Sequence, residues 1–477
     1  MLPEWTVVGF SGHRQLADPK AVADGISNAF ERLAANHGPL AAISSAASGA
    51  DTLFVEEVAR RNLPHLIILP FAQNRFQQDF SPADWHRILP FIEKATHVEE
   101  VAGEESKEGA YMETGIVTAD RADVMIFVWD GKPAAGFGGT GDVVDYIRDL
   151  GKPLVIIDPA TGRISEERLD QMPAKSVRTG WNQNPRQSVE EHFRELDEAA
   201  QLHAPQSRDL ILRIIFLQLL ASAIGSVASA FEIQGRWDQL LTLIEFVFLG
   251  FAFISSLQHR KKHQKWMKNR IAAEICRSFL ATWHMRWRPD HSPKISIQGF
   301  DRLCGNLWLM RVLDKSPPLP LETVRDQYLK ERVENQISYF SQHSRQSRRI
   351  HQKLKAFALF CTATATFLSM LVFAFSVLRD FGVGSHVPNP ALTIPQCLSL
   401  LLPLASAAIF SLMITQDYSR RSVRYREMVL MLEDTARRLK LVRTWNSLAR
   451  ITTETEEALL QEVVEWHSFR QFAGEAN

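Results

Sequence analysis

The chain has 477 residues, enough for two to four domains, with 54 Lys plus Arg set against 54 Asp plus Glu. A formal net charge of zero gives no support to a nucleic-acid binder, whose phosphate partner calls for a basic surplus. Cys276, Cys304, Cys361 and Cys397 show no CxxC spacing and offer neither a disulfide framework nor a zinc site, so buried free thiols in a reducing compartment are expected.

The opening MLPEWTVVGF has no basic n-region and only a strand-length apolar run, so an N-terminal domain that stays in the cytoplasm is expected. TVVGF (6–10) reads as a strand. Residues 18–38 read as a helix, with Asp18 as its cap and Pro19 in its first turn. AAISSA (41–46) is a second strand, and 50–62 a helix with Leu53, Val55, Val58 and Ala59 near the 3.6 period. HLIILPF (65–71) is a third strand and THVEEV (96–101) a candidate fourth. A helix over 108–122, the strand DVMIFVWD (123–130), a helix over 141–151 and the strand PLVIID (153–158) complete the series. This alternation predicts an α/β Rossmann-like parallel sheet domain over 1–160, mostly parallel, with helices on both faces. The strands are nearly continuous in apolar residues, as covered parallel strands must be. Residues 161–208 turn polar and read as a linker, with one helix near 188–202.

The composition then changes. Segments 211–231, 240–258, 356–378 and 391–416 are each near the roughly 20 apolar residues that a membrane span needs. The first carries only Arg213 as a charge, the second only Glu245, and the last two none. A water-soluble helix would need a polar face, which the last two lack. An all-α membrane domain with four transmembrane helices and long cytoplasmic helices is therefore expected. Its parts are a hairpin and cytoplasmic helix over 209–290, a cytoplasmic connecting region over 291–344, and a second hairpin with C-terminal helices over 345–477. Basic runs at 259–270, 345–355 and 419–426 flank the spans, whereas the connections 232–238 and 379–390 are nearly neutral. The positive-inside tendency puts the basic runs and both termini in the cytoplasm. Each half repeats one plan, a tight hairpin followed by a basic, aromatic-containing helix, ending near Trp283 and Trp445.

Three strand exits attract attention as sites. GFSGHR (9–14) places Gly9, Ser11, Gly12, His13 and Arg14 after the first strand, where glycine lets backbone approach a ligand and Arg14 offers a fork of donors. His13 reads equally as a ligand contact or as a turn-stabilising residue. Ser48, Gly49 and Ala50 precede the second helix, whose N-terminus favours negative charge, and Asp51 reads as a capping carboxylate. Phe71 ends the third strand, as a base-stacking ring or a core-edge ring. Asp130 and Gly131 end the strand VMIFVWD. GFGGTGD (136–142), with Gly138, Gly139, Thr140 and Gly141, suits a phosphate cradle but is neither a Walker A motif nor the dinucleotide fingerprint. No metal-ligand spacing is evident, so no cofactor is required.

The ordered series GFSGHR, SAASGADTLFVEEVA, ILPF with QDF, AYMETG, VMIFVWDG and GGTGDVVDYI resembles the SLOG superfamily. That group is related to the DNA-processing protein A family and to the cytokinin-activating LOG phosphoribohydrolases. The resemblance covers about residues 4–160 and implies a Rossmann-like domain that binds nucleotides or cyclic or ADP-ribose-type derivatives. In the LOG enzymes a GGxGT segment is followed by a catalytic glutamate, with an arginine upstream. Here Asp142 and Asp145 stand near that place, YMETG offers Glu113, and no arginine fills the neighbouring slot. The departure favours binding without turnover, with N-glycosidic hydrolysis through Glu113, Asp142 or Asp145 as the alternative.

Trp266, Arg270, Ala273, Glu274, Arg277 and Ser278 after two spans, with the distal EALLQEVVEWH (457–467), resemble the SLATT-type membrane domains that accompany SLOG domains in bacterial conflict systems. That likeness implies a homo-oligomeric, membrane-perturbing or pore-forming effector in antiviral defence, triggered by a nucleotide signal at the bacterial inner membrane. Within the spans, Glu245 lines a path, pairs with Arg213 or sits near the outer interface. Pro403 is expected to kink the fourth span. Basic 260–270 could bind anionic headgroups or serve only as the topology signal. Leu459, Leu460, Val463, Val464 and Trp466 read first as bundle positions, with a role in oligomerisation plausible.

Overall fold

A computed structural model describes residues 2–101, 106–134, 136–172, 184–231, 233–285, 300–380 and 389–475. The chain divides into two compact units, Met1–His192 with Ser296–Pro317, and Phe193–Ile295 with Pro318–Asn477.

In the first unit, β1 (Thr6–Gly12), α1 (Pro19–Asn36), β2 (Leu40–Ser44), α2 (Ala50–Arg60) and β3 (His65–Leu69) alternate as expected. The short α3 (Gln73–Phe76) and α4 (Pro82–Lys94) precede β4 (His97–Glu100). Then come α5 (Lys107–Arg121), β5 (Val124–Val128), α6 (Thr140–Asp149), β6 (Leu154–Ile157) and β7 (Ile164–Glu167). All five residues of β2, β3 and β5 are buried, as strands covered on both faces require. The sheet order is β4-β3-β2-β1-β5-β6-β7. The first six strands are parallel; β7 runs antiparallel to β6 at the edge, so the sheet is mixed.

Caps and rings fix these elements. Asp18 accepts the amides of Lys20 and Ala21 at 3.1 Å each, with Pro19 opening α1. Ser81 caps α4 and Ser106 caps α5 through the amides of Asp84 and Gly109. Phe54 stacks on Phe10 at 4.4 Å and on Phe30 at 5.4 Å, joining α2, β1 and α1 in one core.

Three parts of this unit differ from the expectation. The segment 161–208 is not only a linker: it holds β7, whose Ile164 pairs with Ile157, while the helix expected near 188–202 is present within the longer α7 (Pro185–Ala230), of which this unit keeps the residues up to His192. Helix α4 was not anticipated, although Ser81-Pro82 and the spacing of Trp85, Ile88 and Ile92 mark it. Part of the connecting region belongs here too. In α9 (Phe300–Leu313), Asn306 accepts the Trp5 amide at 3.1 Å and Trp308 meets His97 edge-on at 5.3 Å.

The second unit is helical. It holds most of α7, then α8 (Arg236–Ala281), α10 (Leu321–Gln327), a π-helical stretch (Tyr328–Glu334), α11 (Asn335–Asp380), α12 (Asn389–Gln416), α13 (Tyr418–Leu441) and α14 (Trp445–Glu475). Among the described residues, four of its helical stretches are long and apolar enough to cross a membrane, within Asp209–Ser229, Arg236–Ala281, Leu321–Leu378 and Thr393–Leu441. Phe246, Phe253, Phe367 and Phe373 project outward with 63–72% exposure, a surface that suits lipid rather than water. Small residues join α11 to α12: the Ser406 hydroxyl donates to Ala358 O at 3.1 Å and lies 2.9 Å from the Thr362 hydroxyl. The plan of the two halves is matched in length, since α7, α8 and α11 each have 46 residues. In the second half, however, the returning helix breaks at Asp417, with φ of 49°, into α12 and α13.

Beyond the apolar segments, Met285, Leu321, Tyr328, Leu432, Leu448 and Leu459 belong to one core. A charged network lies beside it. Arg332, in the π-helical stretch, donates to Glu456 at 2.6 and 2.9 Å and to Glu274 at 2.9 Å. The Tyr328 hydroxyl donates to Glu456 at 2.8 Å, and Arg277 also bonds Glu274. Leu459, Leu460, Val463 and Val464 are buried within this unit, as bundle positions are; the Trp466 side chain falls outside the described residues.

Candidate functional site

The candidate site is where β1 adjoins β5, because the connections leave in opposite directions there, the switch point beyond whose strand ends such sheets form a ligand crevice. The turn after β1 is anchored at its base. The His13 amide donates to Val128 O at 3.1 Å, and the Ala50 amide donates to His13 O at 3.1 Å. Gly49 has φ of +88°, and a Cβ there would overlap the main chain of Arg14. Residues 11–14 and 48–51 are thus packed backbone to backbone. Glycine at 49 is required twice, for conformation and for space.

His13 holds the exit of β5. The Asp130 amide donates to its Nε2 at 3.2 Å, and Asp130 Oδ1 lies 3.2 Å from the same nitrogen. Asp130 also takes Lys132 Nζ at 3.0 Å and the Lys132 amide at 3.1 Å, and these bonds pull its carboxyl down to about 2. The turn-stabilising role of His13 is therefore filled. Gly131 follows with open space around it.

Arg14 is exposed, and its guanidinium sits 4.6 Å over the ring of Tyr111 in α5. Tyr111 donates to Asp79 at 2.7 Å, and Lys107 bonds the same carboxylate. Tyr111 also meets Phe71 edge-on at 5.9 Å. The third turn reaches the same helix, since a Cβ on Gly138 (φ +82°) would press on Glu108 O and Met112 N. The first turn of α5 is therefore the common neighbour of Arg14 and of the glycine loop, and its aromatic and acidic neighbours Tyr111 and Asp79 were not singled out from the sequence. Tyr111 lies in the quoted AYMETG and Asp79 in QDF, which was the available signal.

Several expected donors already have partners. Asp51 does not cap α2; that place belongs to Gly49, which makes no side-chain cap bond. Instead Asp51 is buried, takes the Ser45 hydroxyl at 2.8 Å and accepts the amides of Gly12 and Ala47. Burial pushes its carboxyl up to about 6, against those bonds and the charge of Arg14. The Gly138 amide donates to Asp142 at 2.9 Å, so Asp142 holds the loop. What remains exposed is the Arg14 guanidinium; of the first amides of α6, which have no intrahelical partners, Gly141 is buried against the main chain of 132–134 and Thr140 is half-buried. Gly139 precedes them as N-cap, and the α6 dipole favours an anion there.

The other expected residues fall elsewhere. Gly9 is buried in β1 under Met125 and Ala122, a close sheet–side-chain approach. One face of Phe71 is covered by the Arg75 guanidinium at 3.8 Å. Asp145 is exposed a turn along α6 from Asp142. Glu113 is half-buried on α5, where its charge acts on Tyr146 of α6. Among the described residues no group of His, Cys, Asp and Glu could hold a metal ion.

No protein family and no curated protein matches this chain. Its chemistry must be read from the groups just described: one exposed guanidinium over an aromatic ring, one helix N-terminus behind a glycine loop, and a histidine–aspartate contact between them. Such a crevice suits an anionic, hydroxyl-bearing guest better than a neutral apolar one.

In the second unit, Glu245 lies beside Gly225, in a cavity lined also by Thr242, Asp238, Gln234 and Ser229. Gly225 and Arg213 are about 18 Å apart along α7 at 1.5 Å rise per residue. The expected pairing of Glu245 with Arg213 is therefore not made; the polar cavity at the hairpin's connecting end is the neighbour instead. Pro403 and Pro395 both sit inside an unbroken α12, and Pro403 is exposed on its surface.

Proposed function

We propose that this chain is a membrane-bound effector whose cytoplasmic α/β unit senses a nucleotide-derived signal. The membrane helices then respond by opening a path or perturbing the bilayer. What supports the sensing half is one observation: the turns 11–14 and 48–51 pack on each other, and Arg14 and the 136–141 loop meet the same end of α5. A phosphorylated guest would take its charge partner from Arg14 and an amide donor from Thr140 at the start of α6. Its ribose hydroxyls would reach Asp130, whose carboxylate stays ionised across the physiological range. Four membrane-length helices support the responding half. The proposal includes cytoplasmic termini, self-association, the SLOG-like and SLATT-like kinships and a place in bacterial antiviral defence.

Turnover is disfavoured by position. Asp142 already accepts the Gly138 amide, and Glu113 on α5 is half-buried whereas Asp145 on α6 is exposed. A general acid and base must both reach one glycosidic bond.

The test is a panel of cyclic oligonucleotides, ADP-ribose and mononucleotides, applied to the full chain in liposomes loaded with a fluorescent dye. A cognate ligand raises the melting temperature and releases dye, and Arg14→Ala abolishes both. A ligand that binds at the Arg14 turn but causes no dye release would remove the membrane-response half of the proposal.

A further inference from the structure

A cavity of about 560 Å³ lies wholly within the second unit, where α7, α8, α11, α13 and α14 converge. Its size is that of a small-molecule site. Four guanidinium groups line it, Arg270 from α8 and Arg420, Arg421 and Arg424 from α13. The left-handed turn at Asp417 ends α12 and starts the helix that carries the last three. Trp266, Tyr339, Tyr418 and Tyr425 add aromatic surface. Three carboxylates also face it, Glu274, Glu462 and Asp417. Glu274 is already bonded to Arg332 and Arg277, which lie outside the lining. Arg424 lies 3.0 Å from Glu465, and Arg270 lies 3.5 Å from Asp197. Counted over the lining alone, four guanidinium groups stand against three carboxylates, a surplus of one positive charge.

The place of the cavity matters as much as its charge. Its lining reaches Ile211 at the start of the first apolar segment, Ile350 just before the third and Gln416 at the end of the fourth. It therefore sits at the boundary between the apolar helices and their polar continuations. Guanidinium forks match phosphate oxygens, and tyrosine and tryptophan suit the zone where one end of a ligand is wet and the other apolar. Basic pockets between membrane helices at this level suit anionic headgroups.

We propose that this cavity binds a phosphate-bearing anionic group, supplied by the headgroup of a membrane lipid. The proposal is independent of the crevice at Arg14.

The test uses the full chain in nanodiscs of phosphatidylcholine with and without phosphatidylglycerol, released into native mass spectrometry. Phosphatidylglycerol is expected to stay bound at collision energies that strip phosphatidylcholine. Arg421→Gln with Arg424→Gln is expected to reduce its retention about tenfold or more, the loss of charge-assisted hydrogen bonds. Arg421→Lys with Arg424→Lys keeps the charge and should restore at least part of the retention, which separates lost binding from lost folding. A parallel arm adds ADP, with Arg14→Ala to remove binding at the N-terminal turns. If ADP displaces the lipid from the Arg14→Ala chain, the phosphate is soluble in origin and the lipid assignment falls. Equal retention of both lipids, or retention unchanged in the glutamine pair, overturns the site altogether.

Discussion

Two buried groups in the first unit titrate in opposite senses, and their opposition can be exposed by removing one. Burial pushes Asp51 from 3.8 up to about 6, and burial pushes His65 from 6.5 down to about 3. His65 Nε2 lies 2.9 Å from the Ser44 hydroxyl, and both groups are nearly inaccessible. Between about pH 4 and pH 6 the folded unit keeps a proton on Asp51 that the unfolded chain has lost. Over the same window it refuses a proton that the unfolded chain holds on His65. Stability changes by about 1.4 kcal/mol per pH unit for each proton of difference, falling with pH for Asp51 and rising for His65. The two slopes cancel in the native protein. Asp51→Asn removes the falling one, so the variant should gain about 3 kcal/mol relative to the native chain between pH 4 and pH 6. His65→Gln should lose about the same amount over that interval. Hydrogen exchange of β5 peptides, corrected for the intrinsic pH dependence of exchange, reads these differences in the intact chain. A pH-independent difference between Asp51→Asn and the native chain would refute the argument, because Asp51 would then be ionised throughout.

Other consequences follow from packing and charge. Gly49→Ala should cost at least about 2 kcal/mol, through its positive φ and the overlap with Arg14, and should weaken any guest at the crevice; thermal melts with and without ligand check it. Arg332→Met leaves Glu274 with Arg277 but removes the only guanidinium bonded to Glu456 among the described residues, whose one other bond shown is from the Tyr328 hydroxyl, and should cost about 3–5 kcal/mol, read as lost protection of α14 in hydrogen exchange. Arg311 is buried with no hydrogen-bond partner for either terminal nitrogen among the described residues, and burial pulls its guanidinium down to about 9. Arg311→Met should therefore raise stability by about 1–3 kcal/mol, seen as a higher melting temperature.

Much of the fold was legible because its signals are local. Asp18-Pro19 opens a helix wherever it stands, and a run such as VMIFV has no stable place except a covered strand. The spans were legible for the same reason, since length and the lack of charge are properties of one segment. The features that escaped depend on partners far along the chain. Nothing near Ile164 says that it will pair with Ile157 in the reverse direction, and nothing near Asn306 says that it will cap the amide of Trp5. For Glu245 the sequence leaves open a pair with Arg213 or a place near the outer interface, and only helix geometry decides against the pair by setting Glu245 beside Gly225.

Asp51 shows why the site itself was only half legible. Local pattern reads an acid at the start of a helix as a surface partner for the dipole, and that reading assumes an accessible carboxylate. The tertiary structure folds residues 44–47 and the β1 turn over it, so the carboxylate becomes the acceptor for Gly12, Ala47 and Ser45. Two consequences follow together. Of the turn amides that glycine spacing suggested for a ligand, those of Gly12, His13 and Ala50 are already bonded within the protein, which ties the two turns together. A guest must then be recognised by what remains, the Arg14 guanidinium and the Thr140 amide at the start of α6, and an uncharged analogue should lose most of its affinity where a charged one does not.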